Sequence, residues 1–258
     1  MATWDPEQYL RFSRERARPF HDLVAAVVHP GPRLVTDLGC GPGGLTATLL
    51  ERWPGARICG IDGSAEMIAR ARGRAVSGRL HFEQGDVRTW RPAGPQDVIL
   101  SNACFHWIPD HRGLLEHLCR QLAPGGVLAF QVPNNYAEPT HTLLDELIAS
   151  PEWTGRLGGV PRTAVEAPVW YIEQLGRLGL EVDAWETTYY HVLEGRDAVL
   201  EWVSGTTLRP ILAVLDDTES ARFLAAYGEL LRGAYPERAG GTILPFRRIF
   251  VVATSSGS

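Results

Sequence analysis

Residues 33–53, RLVTDLGCGPGGLTATLLERW, leave the backbone few choices. A short apolar run ends at Leu38, and four glycines and one proline fall within the next six residues. A helix-forming stretch opens directly behind them. The apolar run, closed by glycines, reads as a buried strand. The glycines permit backbone angles denied to other residues, and a helix follows at once. Strand, tight turn and helix in that order begin a βαβ unit, which commits the chain to parallel pairing through a crossover.

The alternation continues. ARICGID (56–62) reads as a second strand and SAEMIARARGRA (64–75) as a helix with Ser64 as its N-cap. RLHFEQGDV (79–87) and DVILSNACFHWI (97–108) read as the third and fourth strands, RGLLEHLCRQL (112–122) as a helix and GVLAFQVP (126–133) as the fifth strand. Such alternation specifies a mostly parallel sheet covered by helices on both faces. Ahead of it, apolar residues recur at helical spacing over 7–29, up to Pro30-Gly31-Pro32. Beyond Pro133 the pattern changes. A helix and a Gly/Pro-rich loop occupy 141–165, a helix 170–179, and a strand, LEVDAWETTYYHV, 180–192. Helical stretches near 196–206 and 217–235 precede the last strand, TILPFRRIFVVAT (242–254). That excursion predicts a helical cap at the carboxyl edge of the sheet, where open α/β sheets bind ligands.

Charge narrows the partners. A net charge of −5 argues against nucleic acid, which calls for a basic face. All 25 basic residues are arginine, which excludes lysine Schiff bases and a P-loop lysine. Cys40, Cys59, Cys104 and Cys119 form no C-x-x-C pair and read as small apolar residues. His111, Glu116 and His117 share a helix without forming a tight cluster, so no metal site is expected. The amino terminus lacks the apolar run of a signal peptide. No stretch reaches the roughly 20 apolar residues of a bilayer span. A cytoplasmic location without a membrane partner is the expectation.

Read literally, Gly39, Gly41 and Gly44 satisfy G-x-G-x-x-G, a dinucleotide fingerprint that is weak alone. The flanking acids discriminate. Asp37 stands two residues before Gly39, where a carboxylate facing the ligand would repel a pyrophosphate and attract an α-amino group. Asp62 ends the second strand, where it can accept from both ribose hydroxyls. Gly85-Asp86-Val87 ends the third and offers an acid to an adenine amine. Three acids so placed describe a cationic ligand that carries ribose and adenine but no phosphate.

This arrangement resembles the class I S-adenosylmethionine-dependent methyltransferases. Their first motif, E/D-x-G-x-G-x-G, is complete here as Asp37-Leu38-Gly39-Cys40-Gly41-Pro42-Gly43, and LAPGGVL (122–128) resembles the turn before their fifth strand. The resemblance implies a Rossmann-like α/β fold, a mostly parallel seven-stranded sheet with an antiparallel last strand and a helical cap. It implies S-adenosylmethionine as cofactor, held by Tyr9, Phe12, Asp37, Gly39, Gly41, Asp62, Gly63, Met67, Asp86, Val87 and Asn102. The ligand's carboxylate would meet the N–H groups at the helix start.

Longer stretches resemble the bacterial trans-aconitate 2-methyltransferases from Trp4 to about Ala253. They are WDPEQYLRFSRERARP (4–19), SNACFHWIPDH (101–111), QVPNNYAEPTH (131–141), TTYYH (187–191), EWVSGTTLRP (201–210) and PFRRIFVVA (245–253). This implies an esterified carboxylate of trans-aconitate or a related polycarboxylate. Such a nucleophile is already ionised at neutral pH and needs no base. His106, Trp107 and Tyr190 are the expected positioning residues. Arg16, His106, Tyr189, Tyr190, His191, Arg209 and Arg247 are the expected substrate-binding set, since arginine forks hold carboxylates bidentately. Neighbours on a strand face opposite sides, so at most one of Arg247 and Arg248 faces inward, and Tyr189 and Tyr190 do not both face the ligand. Residues 150–168 suggest no contact, and the oligomeric state is not legible. The expected organisation is a lid (1–30), a donor-binding core (31–135) and the rest of the sheet with the substrate cap (136–258; cap about 141–168 and 194–238), in one catalytic domain. The alternatives are another metabolite as acceptor, a nicotinamide oxidoreductase, and a non-catalytic nucleoside-binding module.

Overall fold

The computed structural model describes residues 13–161 and 165–257, with side chains for residues 17–161 and 165–257. Its strands are β1 (Leu34–Leu38), β2 (Arg57–Asp62), β3 (Leu80–Gln84), β4 (Gln96–Asn102), β5 (Leu122–Pro133), β6 (Leu180–Leu193) and β7 (Thr242–Ser255). They form one seven-stranded sheet in the order β3-β2-β1-β4-β5-β7-β6. The pairs β1–β2, β2–β3, β1–β4 and β4–β5 are parallel, and the last strands run antiparallel. This is the fold class that the sequence implied.

The central place of β1 explains its composition. It is buried from Val35 to Leu38, so even its polar residues need internal partners. The Thr36 hydroxyl donates to Gln96 Oε1 at 2.8 Å. At the strand's start, Asp97 Oδ2 accepts the N–H groups of Arg33 and Leu34 at 2.7 and 2.9 Å. Strand order reverses between β1 and β4, and such a switch point opens a crevice at the carboxyl ends of both strands.

The helices are α1 (Ser13–Ala26), α2 (Gly44–Arg52), α3 (Ala65–Ala71), α4 (His111–Cys119), α5 (Pro139–Ala149), α6 (Thr154–Leu157), α7 (Pro168–Arg177), α8 (Ala198–Ser204), α9 (Arg209–Leu212) and α10 (Asp217–Ala234). Ser64 caps α3 as expected, accepting the Met67 N–H at 3.3 Å. Several boundaries differ from the sequence reading. The first helix ends at Ala26, before Pro30. β4 stops at Asn102, and a 3₁₀ turn over Phe105–Trp107 takes up the rest of the predicted strand. β5 begins at Leu122, so α4 ends at Cys119. The short α9 was not anticipated, because one turn leaves no periodicity to read.

The chain forms two compact units. The first comprises 17–133, 165–187 and 249–258. Its core gathers Leu38, Ile61, Ile99, Phe105, Phe130 and Tyr171. The described residues of the second come from 13–16, 134–164 and 188–248. Its core is built on Trp153, Trp202, Phe223, Tyr227 and Leu244. Each such buried side chain contributes about 1.5–3 kcal/mol over its exposed state. In the second unit a capping box starts α10. Asp216 Oδ1 accepts the Glu219 N–H at 2.8 Å, and Glu219 Oε2 accepts the Asp216 N–H at 3.0 Å. It contributes about 1 kcal/mol.

Candidate functional site

The glycine turn of the first unit is fastened from below. The N–H groups of Gly39 and Cys40 both donate to the Ile61 carbonyl, at 2.8 and 3.0 Å. Gly39 adopts φ 80°. A Cβ there would lie 2.5 Å from Cys104 Cβ, so β4's continuation presses against the turn. Gly41 adopts φ 55° and faces open space, where a Cβ would meet nothing within 4 Å. The first intrahelical bond of α2 runs from Ala47 N–H to the Gly43 carbonyl at 3.0 Å. The amides of Gly44, Leu45 and Thr46 precede it and form the positive end of the helix.

Asp62 braces this turn from β2. Its Oδ2 accepts the Gly41 N–H at 2.9 Å and its Oδ1 accepts the Ser64 N–H at 2.8 Å. Each carboxylate oxygen has a second lone-pair direction, so the residue can still accept from a ligand hydroxyl. Gly63 is exposed beside it, and Met67 is partly buried in the first turn of α3.

Asp37 differs from the sequence reading. Its carboxylate does not face outward: it is 2% exposed, and its Oδ2 accepts the Thr46 hydroxyl at 2.6 Å. Burial raises its pKa to about 6; the Thr46 hydrogen bond opposes that rise and the charge of Asp62 adds to it. Asp86 also departs from expectation. It is exposed, and its oxygens are gripped by the Arg88 guanidinium at 2.5 to 3.0 Å. That fork holds the carboxyl below its usual range. Val87 beside it is buried in the first unit's core.

At the end of β4, Asn102 Oδ1 is buried without a hydrogen-bond partner among the described residues. Ala103 follows in the left-handed region at φ 53°, anchored by its N–H to the Gln131 carbonyl at 2.9 Å. Strain of this kind in a non-glycine residue costs about 1–3 kcal/mol and marks functional edges. Sequence reasoning missed it, because alanine carries no signal for positive φ.

The 3₁₀ turn behind Ala103 presents His106, partly buried, and Trp107, 48% exposed, with ring centroids 4.6 Å apart. His111 fixes that turn. Its Nε2 lies 3.0 Å from the Phe105 carbonyl, which can only accept, so Nε2 carries the proton. Nδ1 therefore accepts the Tyr171 hydroxyl at 2.6 Å. His117 donates from Nε2 to the Trp90 carbonyl at 2.7 Å. The two histidines thus serve the fold. A different trio does converge: Cys59 with the exposed His81 and Glu83 on β3 brings three ligand atoms within 4.8 Å of one another. Parallel pairing sets His81 opposite Cys59, a register that sequence spacing does not reveal. Burial, foremost, pushes the Cys59 thiol up to about 12, which works against its ligation of a cation.

In the second unit the strand alternation is resolved. Tyr189 is buried at 3% and Tyr190 is 69% exposed, so Tyr190 faces away from the interior expected of a positioning residue. His191 shares Tyr189's face and is 6% exposed. It stacks on Trp202 with centroids 4.7 Å apart. The arginine expectation is likewise reversed. Arg247 is exposed and paired with Glu138 at 3.6 Å, whereas Arg248 is 4% exposed and lies over Phe246, 4.7 Å from the ring centroid. Arg209 is partly buried at the start of α9. Tyr9, Phe12 and the side chain of Arg16 lie outside the described residues. No described helix is long and apolar enough to cross a membrane.

The family model described as "Methyltransferase domain" matches residues 35–126, which hold the glycine turn, Asp62, Asp86 and Asn102. A trans-aconitate 2-methyltransferase of Streptomyces avermitilis is 50% identical, over 97% of this chain and 96% of that protein. One of Azoarcus sp. (strain BH72) is 46% identical, over 98% of this chain and 99% of that protein. Among solved structures, an S-adenosylmethionine-dependent methyltransferase of Geobacter sulfurreducens in complex with S-adenosyl-L-homocysteine superposes with a TM-score of 0.51. It is 24% identical and covers 96% of this chain and 90% of that one. This last likeness concerns the fold alone.

Proposed function

This chain belongs to the family of trans-aconitate 2-methyltransferases, and from that premise we propose that it esterifies a carboxylate of trans-aconitate with the methyl group of S-adenosylmethionine. The observation that carries the reading is likeness over nearly the whole length of both chains, cap included, to proteins that bear that name.

The residues present fit the donor. Gly41 leaves open the space a side chain would fill, and Asn102 holds a buried acceptor that a ligand N–H or O–H would satisfy. Gly39, Gly41, the first amides of α2, Asp62, Gly63, Met67, Val87 and Asn102 are the groups we assign to it. Asp37 acts behind them, through Thr46 and the turn. Tyr9 and Phe12 remain assigned to a lid on the family resemblance. When bound, S-adenosylmethionine supplies a sulfonium-borne methyl carbon. The acceptor carboxylate is ionised at neutral pH, so no side chain has to remove a proton. The chain's residues bind, orient and exclude water, and the approach of an anion to a cation gains from a dry site. In this reading His106 and Trp107, on the turn that the His111–Phe105 bond holds, orient the acceptor. In this reading 31–135 is the donor-binding core and 136–258 carries the acceptor cap. The protein works in the cytoplasm on a small anionic partner, without nucleic acid.

Methyl transfer from radiolabelled S-adenosylmethionine tests this, with trans-aconitate, cis-aconitate, citrate and isocitrate as parallel acceptors. A base-labile label on trans-aconitate is expected. Tight donor binding with no label on any of the four sends the search to another acceptor.

A further inference from the structure

The outer face of β3 carries an imidazole and a carboxylate, and the adjoining strand brings them a sulfur. We infer that Cys59, His81 and Glu83 form a binding site for a thiophilic divalent cation of the zinc class, with a fourth position left to water.

On β3, Leu80 and Phe82 are buried while His81 and Glu83 are exposed, so period two puts both polar side chains on one face. β2 lies beside it in parallel, in a register that sets Cys59 opposite His81 and Gly60 opposite Phe82. Cys59 is partly buried at that position. One ligand atom from each of the three residues lies within 4.8 Å of the other two. His81 Nε2 and Glu83 Oε1 are 3.3 Å apart. Tetrahedral zinc, with bonds of about 2.0–2.2 Å to nitrogen and oxygen, holds such ligands about 3.3–3.5 Å from each other. The spacing of that pair is therefore that of two ligands on one ion, and Cys59 offers a third corner from the next strand. All three stand on hydrogen-bonded strands, so the ladder fixes their backbones and only side-chain torsions remain to be set.

The donor set selects the ion. Thiolate and imidazole suit zinc, whereas magnesium and calcium prefer carboxylate, carbonyl and water oxygens. Binding exchanges protons for metal. The Cys59 thiol releases its proton to solvent as the sulfur–zinc bond forms, and the ion takes the place of the hydrogen between Nε2 and Oε1. The raised thiol does not prevent this, because a coordinating thiol is deprotonated outright. The exposure of His81 and Glu83 gives the ion a path from solvent. Once bound, it ties the edge strand β3 to β2, three residues before Asp62, and favours the folded chain by mass action.

Calorimetric titration of the metal-free full chain with zinc chloride tests this, with magnesium chloride as the control and cobalt(II) as a spectroscopic probe. One zinc per chain, no saturable magnesium binding and a thiolate-to-cobalt charge-transfer band are expected. H81A and E83A change exposed side chains and leave the core intact. Each is expected to weaken zinc binding by at least about ten-fold, the loss that even an outer-shell partner brings. C59S should abolish the cobalt band, since Cys40, Cys104 and Cys119 belong to no comparable group among the described residues. Zinc should raise the melting temperature of the wild type and move that of H81A far less. Absence of saturable zinc binding, or an affinity unchanged in H81A and E83A, overturns the assignment even if C59S fails to fold. A cobalt band that survives in folded C59S overturns it as well.

Discussion

The Thr46 hydroxyl donates to Asp37 Oδ2 at 2.6 Å, joining the end of β1 to the first turn of α2 across the glycines between them. Both residues are buried, at 0% and 2% exposure. The acid that opens the glycine motif therefore acts on the turn itself. It orients α2, whose leading amides form the positive end of the site.

Asp37 holds this post at a cost that depends on pH. Its folded pKa of about 6, against 3.8, means that the folded chain binds the extra proton between those values. Stability therefore falls as pH rises through that window and stays low above it. The full shift corresponds to roughly 3 kcal/mol. D37N keeps an acceptor for Thr46 and removes the charge. It should be more stable than wild type at pH 8 by about 1–3 kcal/mol, with the gap closing towards pH 4. Urea melts from pH 4 to 8 read this, and a gap that ignores pH refutes the assignment.

Asp62 uses both oxygens on backbone N–H groups, and an amide offers only one acceptor oxygen. In D62N either Gly41 or Ser64 loses its partner, so the turn loosens. A stability loss of about 1–3 kcal/mol is expected, with donor Kd weakened at least about ten-fold. Calorimetric titration beside a urea melt separates the two effects. Unchanged donor binding removes Asp62 from the donor site.

Two glycines of the turn should respond differently. G39A drives a methyl to 2.5 Å from Cys104 at φ 80° and should destabilise the fold by about 3 kcal/mol or more. G41A meets nothing within 4 Å, so it should fold with a loss of about 1–2 kcal/mol from its φ of 55° alone. Its methyl enters the open space instead, so donor affinity should fall. Thermal melts and donor titration of both variants give the comparison.

His111 is neutral in the fold, since Nδ1 accepts from Tyr171 while Nε2 donates to Phe105. Burial lowers its pKa most strongly, although the Phe105 carbonyl, Glu166 and Asp110 pull the other way. A lowered histidine contributes stability that is present above its unfolded pKa of about 6.5 and is lost as pH falls below it. Asp37 moves stability in the opposite sense near pH 5, so the contrast is wild type minus H111Q. That difference should shrink between pH 7 and pH 5. Y171F strands Nδ1 and should cost about 1–3 kcal/mol at pH 7.5.

Much of the first unit was legible because its signals are local. A glycine turn, Ser64 and acids at strand ends are each recognised by neighbours a few residues away. The roles of those acids were less legible. Thr46 lies nine residues from Asp37 and gave no reason to expect their bond, and Arg88 sits close enough to claim Asp86 from the strand's own end. Ala103 carried no signal, since its left-handed backbone is imposed by the Gln131 carbonyl and the crowded turn.

The sequence by itself determined the alternation of strands and helices, the position of the ligand turn and the parity of the last strands. Period two dictates that Arg247 and Arg248 face opposite ways, as do Tyr189 and Tyr190. It does not dictate which way is inward. The tertiary structure decided that by setting Trp202, Phe246 and His191 against one face of β6 and β7. That choice buried Arg248 and Tyr189 and left Arg247 to Glu138 and Tyr190 to water. A strand's pattern is local, whereas the identity of its buried face depends on what other parts of the chain bring to pack there.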